Sequence, residues 1–189
     1  MIQKLSQEFR AQVALISANC FVDDEYFDYF STDREEKKRK LVECYSYAFD
    51  VAMAVGDCFG FFAAGRLVGY TIVLDYSKLK QENQYYEEIF DVSASEFSGG
   101  VYKFVDYANS LAGAKYILAL CVLPEFQKQG IGFSLIKHIA NFYKKGHLIS
   151  DVDNKYSLSI YKKLGFKIIE ASDKIFIIDK KLDVAKSVR

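Results

Sequence analysis

The stretch from Tyr116 to Lys145 constrains this chain more than any other part of it. Tyr116-Ile117-Leu118-Ala119-Leu120-Cys121-Val122-Leu123 is nearly continuous in apolar residues. A run of that length without alternation reads as a strand buried on both faces. Pro124 ends it. Gly130–Lys145 then carries Ile131, Leu135, Ile139 and Phe142 on one face, which is the spacing of an amphipathic helix. A strand covered on both faces needs helices on both sides of its sheet, so the expected class is a layered α/β or α+β domain.

The rest of the chain fits around that unit. Met1–Leu5 reads as a short first strand, and Gln7–Asn19 as a helix through Phe9, Val13 and Ile16. Ser31 or Thr32 is expected to cap a long helix to about Val55, with Glu35 completing a capping box with Thr32. Gly56-Asp57 stops it. Cys58–Ala64 and Leu67–Tyr76 flank Gly65-Arg66 and predict a hairpin with its turn there. Lys78–Leu111 is polar and aromatic, with helices expected over 84–92 and 101–111. Leu148–Val152 reads as a strand and Asn154–Leu164 as a helix closed by Gly165. Phe166–Glu170 and Lys174–Asp179 read as two final strands. The expectation is one domain over residues 1–189, with a helical insertion around 77–114.

Composition removes several function classes. Lys and Arg together number 25, and so do Asp and Glu. No net field draws the chain to nucleic acid or to an anionic membrane. No run approaches the length of a membrane span, and no apolar leader is evident at the start. Cys20, Cys44, Cys58 and Cys121 are scattered without a close pair. Cytoplasmic free thiols are therefore expected, rather than a zinc framework or a disulfide scaffold. His138 and His147 have no partner at ligand spacing, so no metal is expected.

Gln127-Lys128-Gln129-Gly130-Ile131-Gly132 sits between the strand and the helix. A helix N-terminus offers free amides and a positive dipole end, so a diphosphate there meets several donors at once. Gly130 and Gly132 remove the Cβ atoms that would hold phosphates away. From the residues alone, the loop is either such a cradle or a glycine turn that merely starts a helix. Gly-x-Gly-x-x-Gly and Gly-Lys-Ser/Thr are both missing here, which argues against a dinucleotide fingerprint and a P-loop.

Val122-Leu123-Pro124-Glu125-Phe126-Gln127-Lys128-Gln129-Gly130-Ile131-Gly132 resembles the acetyl-CoA motif of the GNAT N-acetyltransferases, Val-x-Pro-x-x-Gln/Arg-x-x-Gly-x-Gly/Ala. Every specified position matches. Asn154 to Phe166 is similar to that family's Asn-x-x-Ala-x-x-x-Tyr-x-x-x-Gly-Phe, with Ser157 in place of Ala. Ala64–Tyr70 resembles its central hairpin. Inserted helices recur in the puromycin-acetyltransferase-like branch, and Phe21–Phe27 is similar to that branch's early helix junction.

The resemblance implies a GNAT-like fold: a mixed, mostly antiparallel sheet, splayed near its middle, with helices on both faces. It implies acetyl-CoA as cosubstrate. Backbone groups of Leu120, Cys121 and Val122 would meet the pantetheine arm, and Gln127, Lys128, Gln129, Gly130, Ile131, Gly132 and Phe133 would hold the pyrophosphate. Asn154 would touch the pantetheine or the acyl region. The implied reaction is direct attack of an amine on the thioester. The Val122 amide would donate to the oxyanion and Tyr161 would return a proton to the thiolate.

Periodicity alone makes Tyr161 a packed core tyrosine and Cys121 a small buried residue. Phe27, Phe30, Tyr85, Tyr86, Phe90 and Tyr102 either line an acceptor pocket or cover the sheet. The strand Tyr116–Leu123 carries no Glu or His to serve as a base. Asp23, Asp24 and Glu25 are candidates for attracting a cationic amine. The implied partner is a small-molecule or peptide amine, and a homodimer is compatible because the last strands of relatives often pair or exchange. A non-catalytic acyl-CoA-binding domain is the alternative reading, and a nucleotide module unrelated to CoA is a third.

Overall fold

The computed structural model of the chain describes residues 1–82, 84, 103–153, 155–171 and 175–182. Its strands are β1 (Ile2–Lys4), β2 (Gly56–Ala63), β3 (Arg66–Asp75), β4 (Ala114–Val122), β5 (Gly146–Val152), β6 (Lys167–Ala171) and β7 (Phe176–Leu182). Its helices are α1 (Arg10–Phe21), α2 (Arg34–Val55), α3 (Tyr76–Gln81), α4 (103–109), α5 (Ile131–Tyr143) and α6 (Lys155–Lys163). The strands form one open mixed sheet in the order β1-β2-β3-β4-β5-β7-β6, with helices on both sides. This is the expected class. The chain forms two compact units, Met1–Val73 with Ala119–Leu135, and Leu74–Leu118 with Ile136–Arg189.

In the first unit, α1 packs against α2. Val13, Ala14 and Ile16 of α1 and Leu41, Phe49 and Ala52 of α2 are buried. The cap of the long helix falls one residue beyond Thr32 and two beyond Ser31, the two expected caps. Asp33 caps it, its Oδ1 accepting from Glu36 N at 2.8 Å, while Ser31 Oγ donates to Glu36 Oε2 at 2.7 Å. The Thr32–Glu35 capping box is therefore replaced by an Asp33 cap. A carboxylate is a stronger acceptor for an amide than a hydroxyl. We expect Asp33→Ala to lower stability by about 1 kcal/mol, read as a lower urea midpoint at unchanged slope.

Strands β1 and β2 pair antiparallel, with Ile2 opposite Phe61. The β2–β3 turn falls on Ala64-Gly65, not on Gly65-Arg66. Ala64 and Gly65 both have positive φ, 48° and 77°, as the tight hairpin turn that matches strand twist requires.

In the second unit, β5 lies between β4 and β7. It runs parallel to β4 with Ala114, Lys115 and Tyr116 opposite His147, Leu148 and Ile149. It runs antiparallel to β7 along its whole length. Leu148, Ile149, Ile177 and Ile178 are buried. Buried Asp179 accepts from Tyr107 Oη at 2.9 Å and meets His147 Nδ1 at 2.9 Å, which ties α4 to β7 and β5. The short helix α3 was not expected. Asp75 caps it, accepting from the amides of Ser77 at 3.2 Å and Lys78 at 3.4 Å. The expected helix over 84–92 lies outside the described residues apart from Gln84, and α4 fills most of the expected 101–111.

Candidate functional site

The end of β4 and the start of α5 belong to the first unit. Gly69 on β3 lets these parts approach: a Cβ there would fall 2.9 Å from Cys121 O and 3.4 Å from Ile131 Cγ2. The Leu123 amide donates to Val68 O at 2.9 Å, so this point of β4 is bonded to β3. Strand alternation then turns the amide of Val122 to the opposite edge. Pairing of β4 with β5 covers Ala114–Tyr116, so the remaining length of β4 lies beyond the β5 register.

Cys121 is buried, and its thiol donates to Tyr70 Oη at 3.2 Å. Tyr70 Oη also lies 2.5 Å from Ser17 Oγ. Burial pushes the Cys121 thiol well above its usual range, so the residue stays a protonated packing group at neutral pH. It is unsuited to carry an acyl group as a thiolate nucleophile.

Pro124–Phe126 makes a single 3₁₀ turn after β4. Gln127 Nε2 donates back to Val122 O at 3.0 Å, and Gln129 Nε2 donates to Glu125 O at 3.3 Å. Lys128 and Gly130 both adopt positive φ, 60° and 79°. Left-handed residues in such a turn direct successive amides to one side, the arrangement of an anion nest. Helix α5 closes its first turn with Ser134 N–H to Gly130 O at 2.9 Å. The amides of Ile131, Gly132 and Phe133 precede that bond and have no acceptor within the helix. A Cβ on Gly130 would meet nothing within 4 Å. The space beside the loop is open, and free amides at a helix start are the kind of donors that bind anions. The side chains of Gln127, Lys128 and Gln129 are exposed, and Leu120 and Val122 are half-buried.

Among the other candidates of the first unit, Asp23, Asp24 and Phe27 have structural partners. Asp23 pairs with Arg34 at 2.9 Å, and this hydrogen bond lowers its pKa. Asp24 Oδ1 accepts from Tyr26 N at 2.9 Å, and its carbonyl accepts from buried Lys37 at 2.7 Å. Glu25 is exposed. Phe27 is buried in an aromatic cluster with Phe21, Tyr26, Tyr29, Phe30 and Tyr45. It contributes to the core there. Tyr85, Tyr86, Phe90 and Tyr102 lie outside the described residues.

In the second unit, Tyr161 is only 3% exposed on α6. Its ring meets Phe166 edge to face at 5.0 Å, and Phe166 N–H donates to Tyr161 O at 3.1 Å. Asn154 lies outside the described residues. Sequence reasoning passed over Asp151 on β5. Tyr116 Oη donates to Asp151 Oδ1 at 2.9 Å, and burial raises the pKa of this carboxyl. The available signal was an acid inside the apolar strand Leu148-Ile149-Ser150-Asp151-Val152. Among the described residues no group of three or more His, Cys, Asp or Glu could hold a metal ion. Among them, too, no helix is long and apolar enough to cross a membrane.

The family model for the GNAT acetyltransferase domain matches residues 57–168. No curated protein sequence matches the chain. Among solved structures, the chain is similar to the PaiA N-acetyltransferase of Thermoplasma acidophilum in complex with coenzyme A. That likeness has a TM-score of 0.62 at 18% identity, covering 96% of this chain and 98% of the other. A second likeness is to the Drosophila melanogaster polyamine N-acetyltransferase that forms N-acetylagmatine, with a TM-score of 0.64 at 13% identity, over 96% and 99% of the two chains. A third is to the ribosomal-protein-S18-alanine N-acetyltransferase of Escherichia coli, with a TM-score of 0.59 at 13% identity, over 100% and 97%.

Proposed function

The chain belongs to the GNAT acetyltransferase family, and on that premise we propose that it transfers an acetyl group from acetyl-CoA to a primary amine of a small molecule or peptide. The observation that carries this reading is the loop before α5. Lys128 and Gly130 are both left-handed there, with open space beside Gly130 and the first-turn amides of the helix adjoining.

Acetyl-CoA supplies the acyl carbon and the leaving thiol. The chain supplies position and hydrogen bonds. Amides from Lys128 to Phe133 hold the two phosphates, the Gln127 amide being taken by Pro124 O at 3.2 Å, and Lys128 adds a positive charge at the rim. The edge of β4 at Leu120, Cys121 and Val122 takes the pantetheine arm as an added strand would be taken. The outward amide of Val122 donates to the carbonyl oxygen as charge gathers on it. Tyr161 gives its phenol proton to the departing sulfur, and Asn154 steadies the acyl end. Protonated Cys121 takes no covalent part. We read residues 1–189 as one catalytic domain.

Release of free thiol from acetyl-CoA, measured against an amine panel, tests the reading. Agmatine and spermidine head the panel because one structural neighbour forms N-acetylagmatine, and an alanine-ended peptide follows from another. Thiol release that depends on an amine, with an acetylated product by mass, is the expected result. Bound acetyl-CoA with no amine-dependent release across the panel would instead favour a non-catalytic binding domain.

A further inference from the structure

We propose that a cavity between α5, the end of α6 and β7 binds a small phosphorylated anion, through Lys137, Lys163, Lys180 and the Asn141 amide. All of these residues belong to the second unit, and none is part of the loop before α5.

The sequence places the charges. Lys137 and Asn141 are four positions apart on α5, so they share one face of that helix. Lys163 is the last residue of α6. Lys180 stands two positions before buried Leu182 on β7, so both point to the same face of the sheet. Together these residues line a cavity of about 560 Å³. Lys181 borders it too, but strand alternation turns its side chain to the opposite face.

Gly165 makes room for Lys180. It ends α6 with φ of +83°, and a Cβ there would fall 3.3 Å from Lys180 Nζ. The ammonium donates to Leu164 O and lies 6.0 Å from the centre of the Phe166 ring. Its head group is therefore fixed in the wall of the cavity. An ammonium has three donors, and the carbonyl takes one.

The lining collects cations without a counter-charge. Among the described residues no carboxylate lines the cavity, and no ion pair takes Lys137, Lys163 or Lys180. Over the whole chain 25 basic residues balance 25 acidic ones, so the excess is local. A lysine at a helix C-terminus is ordinary, because it meets the negative end of the dipole. That accounts for Lys163 and for the bond from Lys180 to Leu164 O. It does not account for Lys137 and Asn141, which bring a third cation and an amide to the same space from another helix. Ammonium groups gathered around one cavity repel, and a multivalent anion among them reverses the sign of the interaction.

The residue types choose the anion. Lysine binds phosphate as a point charge, whereas planar carboxylates favour the fork of arginine. Among the described residues neither an arginine nor an aromatic ring lines this cavity. A nucleobase would have no ring to stack on, so recognition falls on the phosphoryl group.

Pyrophosphate is the probe, titrated calorimetrically into the full chain at fixed ionic strength, because diffuse surface charge is screened by salt. The loop before α5 could take the same probe, so every titration is made in the Gly130→Glu chain as well as the wild type. Lys137→Gln and Lys163→Gln each remove one charge from the cavity, and Lys181→Gln removes the same charge from the other face. All three positions are exposed, so the chain should stay folded. Gly130→Glu is expected to keep a pyrophosphate site. In that background Lys137→Gln and Lys163→Gln should each weaken it about tenfold, and Lys181→Gln by no more than about twofold. Citrate, of comparable charge, should bind more weakly than pyrophosphate. Loss of all pyrophosphate binding in Gly130→Glu would assign the anion to the loop and overturn the cavity site. Equal effects of the three lysine substitutions, no effect of any, or tighter binding of citrate would overturn it too.

Discussion

Gly130→Glu is expected to weaken acetyl-CoA binding at least about 100-fold while leaving the fold intact. Two effects add. Gly130 has φ of +79°, and a side chain in that conformation costs about 1–2 kcal/mol. A carboxylate near a bound phosphate at about 4 Å adds repulsion of about 4 kcal/mol at the effective dielectric of a protein surface. Each ~1.4 kcal/mol is tenfold in affinity, so repulsion of that size exceeds the stated loss. The open space at the Gly130 Cβ position means that no protein atom is displaced. The thermal midpoint should therefore fall by only a few degrees. Gly130→Asn separates the two effects, because asparagine tolerates the left-handed region and carries no charge. It should lose no more than about tenfold. Wild-type affinity in Gly130→Glu would mean that this loop does not face the diphosphate.

Tyr161→Phe should lower turnover by about 100- to 10,000-fold, the range for losing a positioned proton donor, with acetyl-CoA affinity essentially unchanged. The choice of phenylalanine matters. Tyr161 is buried with its ring against Phe166, so Tyr161→Ala would open a cavity worth about 3–5 kcal/mol and confuse catalysis with folding. Phenylalanine keeps the ring and removes only the hydroxyl, which changes stability by about 1 kcal/mol. Single-turnover and steady-state rates should fall together if the lost group acts in the chemical step. Unchanged turnover would make Tyr161 a packing residue, which is what its spacing on an amphipathic helix suggests by itself.

The parts of the fold legible in the sequence are those where one segment carries the whole signal. β4, its proline and α5 follow from a continuous apolar run and a helical repeat within thirty or so positions, and β2 and β3 from two aromatic, β-branched runs around a glycine. The start of α2 was less determined, because Ser31, Thr32 and Asp33 are all competent caps. Asp33 takes the Glu36 amide while Ser31 supports the Glu36 side chain. The hairpin turn lies one residue earlier than expected because Ala64 accepts a positive φ that alanine rarely adopts. Helix α3 has six residues, too few to show a period, and only the Asp75 cap announces it. Asp151 illustrates the harder limit. Its partner Tyr116 is 35 positions earlier, and nothing local ties the two together. The glycine loop was readable as a motif, but the left-handed turn at Lys128 that aims its amides was not.

Calorimetric titration of the purified chain with acetyl-CoA, beside ATP and NAD, tests the central claim most directly. Saturable one-to-one binding of acetyl-CoA, with ATP and NAD far weaker, is the expected result. Absence of acetyl-CoA binding, or tighter binding of either nucleotide, would contradict the account from the loop onward.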